Sequence, residues 1–320
     1  MLLISRKGFQ ELVLINSNRC YELPSYVSSC SELRYLKLEN CIFKPLVKLE
    51  EFSNLDDLYL KNIDFGVNSR GALVTLPQLG RLGLETCKNV HNFNIKARNL
   101  HSLLVFRCPD AMLLRLLDTP CLYFVCLYFL ESFEDFLRVE KMNLTGLLSN
   151  LRKTEMLRMN GHGMKFLSAG KIPKWLPDPV NSLRHLWLDN FQISDLDQLR
   201  DALCLLRNSP SLKKLCMQSQ MEPHVMHYDA GPASIHLESL DCLDKTLNRL
   251  QTVEIISLEG SRPTLLFIKL LLAHSPSLVK LTIEPSGTTD AHQRLNIAID
   301  VMRFPRASTK AELIFLNPKP

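Results

Sequence analysis

The chain has 320 residues, of which 46% are hydrophobic and 22% are charged, so its composition supports a packed core and argues against intrinsic disorder. Its net charge of +5 comes from 38 basic and 33 acidic residues that are mixed along the chain, without the basic block of a nucleic-acid-binding arm. The longest apolar run, residues 121–130, is too short for a membrane-spanning helix, which needs about 20 residues. The 10 cysteines include no C-x-x-C pair, which predicts reduced thiols and an intracellular protein, cytoplasmic or nuclear.

A pattern of the form L-x-x-L-x-L-x-x-N/C recurs along the chain. It is complete in residues 33–41, 79–87 and 100–108, where Val105 takes the third apolar place. The copies that begin at Phe9 and Leu55 depart from it only at the last position. Weaker copies begin at Leu122, Thr154, Leu183, Leu212, Leu250 and Leu278. This is the signature of leucine-rich repeats.

The L-x-L centre of each repeat predicts a short strand whose leucines share one face. One such strand cannot bury that face alone, so successive repeats must stack on each other. We therefore predict an α/β leucine-rich-repeat solenoid, with a curved parallel sheet on the concave side and helices and turns on the convex side. Cys41, Cys87 and Cys108 occupy the N/C place just past a strand, which predicts buried, structural thiols rather than reactive ones.

The spacing of the repeats grows along the chain. Up to Leu122 the spacing leaves room only for a turn or a brief helical piece between strands, whereas the later repeats have room for a full helix. Ser194 is a candidate N-cap for a helix that ends near Asn208, and Pro263 opens a second helix over residues 264–274. Both segments end in the phrase Ser-Pro-Ser-Leu, which predicts a helix stop and a return to the next strand.

Several stretches resemble the plant F-box/FBD/LRR-repeat family. They include "GKIPKWLPDPVNSLRHLWLD" at residues 170–189, "GSRPTLLFIKLLLAHSPSLVKLTIEP" at 260–285 and "FPRASTKAELIFL" at 304–316. The last two resemble the FBD region that closes these proteins. The resemblance implies a repeat solenoid over residues 1–245 and an FBD-like region over 246–320 that continues and caps it.

Members of that family carry an F-box, a small helical module that docks on the Skp-type adaptor of a cullin ubiquitin ligase. Here the repeats begin by Phe9, which leaves no room for that module before them. We expect a fragment, a truncated gene product or a relative without an F-box. Binding of the Skp-type adaptor is expected only if an F-box exists upstream in a longer protein.

The predicted function is therefore protein–protein interaction, as in the substrate-recognition part of a ubiquitin ligase receptor. The alternative is an adaptor or decoy that binds targets but recruits no ligase. The side chains between the core leucines should line the concave face and bind the target. Those we single out are Tyr35, Lys37, Asp57, Tyr59, Arg81, Leu104, Phe106, Phe124, Tyr128, His185, Trp187 and Asp189. Charges of both signs on this face favour a protein partner over nucleic acid.

Leu104, Phe106, Phe124 and Tyr128 should form an apolar patch on two adjacent strands, and large apolar patches mark interfaces. The competing interpretations are a strand register that is shifted by one residue here and burial of the patch under residues 131–150.

A third hypothesis is an enzyme or a metal protein, and it depends on His224 and His227. These two histidines could bind zinc if they share one face of a helix, with Asp229 nearby. Flanking prolines and glycine favour a loop instead. No catalytic signature is present, so we expect no enzyme activity, no cofactor and no metal.

Overall fold

The computed structural model describes residues 9–17, 21–22, 30–42, 52–65, 72–90, 93–108, 115–117, 119–129, 153–168, 179–219, 230–239 and 247–318. Its internal contacts divide the chain into two compact units, Met1–Met142 and Asn143–Pro320. The predicted boundary between the repeat solenoid (residues 1–245) and the FBD-like region (246–320) does not correspond to this division into units. It stays a prediction.

The first unit is built from short parallel strands. In chain order they are β1 (Glu11–Ile15), β2 (Tyr21–Glu22), β3 (Tyr35–Glu39), β4 (Cys41–Ile42), β5 (Asp57–Lys61), β6 (Ala72–Thr75), β7 (Arg81–Glu85), β8 (Phe93–Lys96), β9 (Ser102–Phe106), β10 (Arg115–Leu117) and β11 (Phe124–Tyr128). The odd-numbered strands form the main sheet in the order β1-β3-β5-β7-β9-β11. Strands β6, β8 and β10 form a second sheet, and β2 pairs with β4.

Each main strand begins two residues after the first apolar residue of its repeat, which confirms the strand prediction. In β3, Leu36 and Leu38 are buried, whereas the residues between and beside them are half-buried. Leu36 is the register partner of Leu58 in β5, and Leu38 is the partner of Leu60. The leucines of successive repeats thus stack into two buried rows, and each fully buried leucine contributes about 1.5–3 kcal/mol relative to an exposed one.

After β3, β5, β7 and β9 the chain turns away from the main sheet through one residue in the left-handed region. Asn40 and Asn62 have φ values of 58° and 57°, and Thr86 and Arg107 follow with 51° and 54°. The Asn40 N–H donates to the carbonyl of Lys61 at 3.1 Å, and the other three make the equivalent bond to their neighbouring strands. Asparagine tolerates this conformation better than most residues, which explains its use at two of these turns.

The cysteines of the N/C place are buried, as predicted. Cys41, Cys87 and Cys108 are at most 2% exposed. The Cys87 thiol lies 3.3 Å from the carbonyl oxygen of Leu60, and the Cys108 thiol lies 3.5 Å from that of Phe106. Burial raises the pKa of the Cys41 thiol. These thiols therefore serve as weak donors to backbone carbonyls inside the core.

The prediction of only a turn or brief helical piece between the short repeats is wrong. These segments instead contribute the strands β6, β8 and β10, which pair in parallel with one another. Val74 and Ile95 are partners in this second sheet, and both are fully buried. A strand of three or four residues suffices here because equally short neighbours satisfy its backbone groups.

The second unit alternates strands and helices. In chain order they are β12 (Met156–Asn160), α1 (Gly161–Ser168), β13 (His185–Asp189), α2 (Leu196–Arg207), β14 (Lys214–Gln218), α3 (Ala230–Glu238), β15 (Thr252–Leu258), α4 (Arg262–His274), β16 (Lys280–Pro285), α5 (Ala291–Arg303) and β17 (Glu312–Phe315). The strands form a parallel sheet in chain order, and each helix packs against the next. Within the described part of the chain, no helix is long and apolar enough to cross a membrane.

The helix ends agree with the predictions made from the sequence except at one N-cap. Helices α2 and α4 end directly before Asn208 and Ser275, at the repeated Ser-Pro phrase. Ser194 is not the N-cap of α2. The cap is Asp195, whose side chain accepts from the N–H groups of Asp197 and Gln198 at 3.1 and 3.2 Å. Both residues are good caps, and the carboxylate is the one placed to reach the free N–H groups.

Candidate protein-binding face

The candidate site lies on the face of the main strands that turns away from the buried leucines, which we call the open face. It consists of positions 3, 5 and 7 of each repeat L-x-x-L-x-L-x. These positions are half-buried in β3, β5 and β9, while positions 4 and 6 are buried. All 12 side chains predicted from the sequence lie on strands at these positions. Since neighbouring strands lie about 4.8 Å apart, equivalent side chains form continuous rows.

The position-3 row of the first unit contains Tyr35, Asp57 and Arg81 on adjacent strands. The Arg81 guanidinium donates two hydrogen bonds to the Asp57 carboxylate. Asp57 and Arg81 were both predicted to contact a target, and the structure pairs them with each other. The pair is partly exposed, so it contributes at most about 1 kcal/mol to stability.

The position-7 row carries a second set of paired charges. Lys61 lies between Glu39 and Glu85, at N···O distances of 3.6 and 3.4 Å. The two carboxylates, Glu85 first, raise the pKa of the Lys61 ammonium. The charges in this row are therefore already paired with their neighbours, and two carboxylates with one ammonium leave a net charge of −1.

Tyr59 fills the middle of this polar region. Its ring lies over Gly83 on the next strand, where an added Cβ would come within 2.9 Å of Tyr59 Cε2 and closer still to Cδ2. The Tyr59 hydroxyl donates to the Glu85 carboxylate, and the Lys37 ammonium lies 5.4 Å from the ring centroid. Burial, followed by the hydrogen bond to Glu85, raises the pKa of Tyr59. Gly83 is thus the position at which the chain makes room for the ring.

Further along the same sheet the open face becomes apolar. The register places Phe124, Cys126 and Tyr128 of β11 opposite Ser102, Leu104 and Phe106 of β9. Leu104, Phe106, Phe124 and Tyr128, which we call the apolar patch, are all half-buried. The rings of Phe106 and Tyr128 lie 4.9 Å apart with a 30° tilt. The predicted register is therefore correct, and residues 131–150, which could cover the patch, lie outside the described residues.

Charged side chains border the patch at Phe106, whose register partner on the neighbouring strand β7 is Glu85. The Arg107 guanidinium lies 5.0 Å from the centroid of the Phe106 ring, within the range of a cation–π contact. Arg107 follows β9 directly and is exposed. The patch thus combines a central pair of aromatic rings with a polar rim, which is the usual arrangement of residues that dominate binding energy.

The open face of the second unit contains His185, Trp187 and Asp189 of β13. The rings of His185 and Trp187 meet edge to face at 5.6 Å, and both are half-buried. Burial, followed by the charge of Lys214, lowers the pKa of His185. Asp189 was expected to be accessible, but it is only 6% exposed and is ion-paired with Arg158 of the preceding strand.

The zinc hypothesis cannot be placed on the fold, because His224, His227 and Asp229 lie outside the described residues. Among the residues that the structure describes, no group of three or more His, Cys, Asp or Glu side chains could hold a metal ion. The described cysteines carry free thiols.

One feature of the second unit was not predicted from the sequence. Position 2 of its repeats, just before each strand, holds Glu155, Arg184 and Lys213 in succession. Together with Arg249 they line a small polar cavity. Aligning position 2 across the repeats would have shown this accumulation of charge.

The chain is similar to known leucine-rich-repeat proteins. A protein-family model described as "At1g61320/AtMIF1, LRR domain" matches residues 4–303. The chain is 29% identical over 321 residues to the F-box/FBD/LRR-repeat protein At1g13570 of Arabidopsis thaliana, an alignment that covers 99% of this chain and 75% of the relative. It is 24% identical over 312 residues to the putative FBD-associated F-box protein At5g50270 of Arabidopsis thaliana, covering 88% and 74%. Among solved structures, an internalin from Listeria monocytogenes matches 98% of this chain and 82% of its own, with 13% identity and a TM-score of 0.42.

Proposed function

Because the chain belongs to the leucine-rich-repeat family of the At1g61320/AtMIF1 type and is related to F-box/FBD/LRR-repeat proteins, we propose that it is a protein-interaction module that binds its target through the apolar patch of the first unit. The observation that supports this site is the contrast along one sheet. Where β3, β5 and β7 contribute, the charged side chains other than Lys37 are paired with each other. Where β9 and β11 contribute, four apolar side chains are partly open.

A partner would gain different amounts of binding free energy at the polar end and at the apolar patch. Binding at the polar end would separate ion pairs that already satisfy each other, and the net gain is small. Binding at the apolar patch removes aromatic and aliphatic surface from water, at about 25 cal/mol per Å². We therefore expect the patch to supply affinity, and the paired charges around it to set orientation and the rate of association.

The finer role that we propose is substrate recognition for a ubiquitin ligase. It rests on the names of the two Arabidopsis relatives, both of which are called F-box proteins. A receptor must reach a Skp-type adaptor as well as its target, whereas an adaptor or decoy needs only the target. Copurification of the native protein from plant tissue, probed for the Skp-type adaptor, separates the two roles.

The binding site is tested with the double variant Phe106→Ala/Tyr128→Ala. The wild-type chain is first used to isolate a partner from plant tissue, and affinities are then measured with that partner in purified form. We expect the double variant to lose about 30-fold or more in affinity, as for residues that dominate an interface.

The matched control is Tyr35→Ala, which removes a half-buried aromatic side chain from the polar end of the same face. It should change the affinity by less than about threefold. Equal losses in the control and the double variant, or no loss in either, would remove the apolar patch as the binding site.

A further inference from the structure

A second candidate site lies away from the apolar patch, in the second unit. A cavity of about 210 Å³ opens where β12, β13 and β14 begin. Every residue that lines it is polar or charged. Six of them come from four successive repeats and carry charges or hydroxyl groups: Glu155, Ser182, Arg184, Ser211, Lys213 and Arg249.

The backbone fixes the spacing of the charged side chains. The Arg184 N–H donates to the Glu155 carbonyl at 2.8 Å, and the Lys213 N–H donates to the Arg184 carbonyl at 2.7 Å. These bonds place Glu155, Arg184 and Lys213 at the same position of adjacent strands, about 4.8 Å apart. The fold therefore places the two cationic residues, Arg184 and Lys213, at adjacent backbone positions.

The charge of the cavity is not balanced. Arg184 pairs with Glu155 at an N···O distance of 3.5 Å. In the described part of the chain, no carboxylate lies within ion-pair distance of Lys213 or Arg249. Three positive side chains and one negative one leave the cavity with a net charge of +2.

The size and the chemistry of the cavity indicate a class of ligand. Its volume is below the roughly 300–1,000 Å³ that drug-sized ligands occupy, which favours a small group. Its hydroxyl and cationic donors suit an anion, and the planar guanidinium of arginine matches two oxygens of a phosphate or carboxylate at once. A single carboxylate would leave one positive charge uncompensated, whereas a dianion would balance both.

We propose that this cavity binds a phosphate dianion. The site uses none of the residues of the apolar patch, so the inference goes beyond the proposed function and does not depend on it. A phosphorylated side chain of a protein and free inorganic phosphate offer the same chemistry. Arg184 and Arg249 are exposed, so the cavity is open to a phosphate that is carried on another chain.

The experiment is isothermal titration calorimetry of the full chain with three probes at constant ionic strength. They are inorganic phosphate, a degenerate peptide pool with a central phosphoserine, and the same pool without phosphate. We expect saturable binding of a phosphate-bearing probe and none of the unphosphorylated pool. Tighter binding of the phosphopeptides than of inorganic phosphate assigns the site to a protein-borne group, and the reverse assigns it to the free ion.

Substitutions of the residues that line the cavity test whether the phosphate binds there. Arg184→Gln and Lys213→Gln should each weaken it by about tenfold or more, since each removes a charge-assisted hydrogen bond. Glu155→Gln should strengthen it, because the competing carboxylate is gone. Lys280→Gln is the matched control: it removes one exposed positive charge at the start of β16, outside the cavity, and should leave binding within about twofold.

Two results would overturn the proposal. One is the absence of saturable binding by inorganic phosphate and by the phosphopeptide pool. The other is an equal loss of binding in Lys280→Gln and Lys213→Gln, which would mean attraction to the net charge of the chain rather than a site.

Discussion

Gly83→Ala should destabilise the protein only because Tyr59 is present. The added Cβ would lie within 2.9 Å of Tyr59 Cε2 and closer to Cδ2, so the ring must move. Movement of the ring disturbs the hydroxyl bond to Glu85 and the contact with Lys37. Overpacking of this kind costs about 1–3 kcal/mol.

The sign of the effect should reverse when the ring is removed. Glycine in a strand interior is about 0.5–1 kcal/mol less favourable than alanine, because it loses more conformational freedom on folding. In a Tyr59→Ala background, Gly83→Ala should therefore stabilise the chain by about that amount. The coupling energy between positions 59 and 83 is then about 1.5–4 kcal/mol, the sum of the two opposite effects.

Urea denaturation of the four chains of this double-mutant cycle measures the coupling directly. Hydrogen exchange of the amides in β5 and β7 reports whether the change is local to the two strands. Additive effects, with Gly83→Ala destabilising both backgrounds equally, would refute the account of this glycine as a place for the Tyr59 ring.

Three further predictions concern stability. Asp201 is 1% exposed and burial raises its pKa to about 9, above the unfolded value of about 3.9, so stability should fall as pH rises from about 4 to about 9. Between about pH 5 and 8 this dependence corresponds to about 4 kcal/mol, and Asp201→Asn should remove it, as measured by urea titrations at each pH. An unchanged dependence would refute the assignment. Phe106→Ala and Tyr128→Ala should each cost only about 1–2 kcal/mol in thermal denaturation, because the rings are half-buried. A cost of about 3–5 kcal/mol in both would mean full burial and contradict an open patch. Gly260→Ala should cost about 2 kcal/mol in urea denaturation, because its φ is 73° and the new Cβ would lie 2.8 Å from Ile297 Cγ1. In an Ile297→Ala background the clash is removed, and about half of this cost should remain because of the backbone conformation. If Gly260→Ala cost nothing in that background, a conformational contribution would be contradicted.

The repeats could be predicted from the sequence because their signal is local. Alternating leucines such as Leu36 and Leu38 define both the strand and its buried face within one segment, and the cysteine at position 41 follows from the same frame. The ends of α2 and α4 could also be predicted, because Ser-Pro acts within a few residues. The choice of Asp195 over Ser194 as a cap could not, since it depends on which side chain reaches the free N–H groups.

The features that escaped prediction depend on contacts between repeats. Strand Phe93–Lys96 is too short to be recognised alone, and it exists because Ala72–Thr75 pairs with it. The pairing of Asp57 with Arg81 likewise requires the register between two strands 24 residues apart. Periodicity predicts which side of the strands is accessible at the candidate site. It does not predict which side chains on that side are already ion-paired with each other.

The central claim is that a protein target contacts the apolar patch, and site-specific photocrosslinking tests it most directly. A photoreactive phenylalanine analogue replaces Phe106 in one chain, Tyr128 in a second and Tyr35 in a third, so that each position keeps an aromatic ring. With the purified partner, the account predicts strong crosslinks from positions 106 and 128 and little from position 35. Strong crosslinking from position 35, with none from positions 106 and 128, would contradict it.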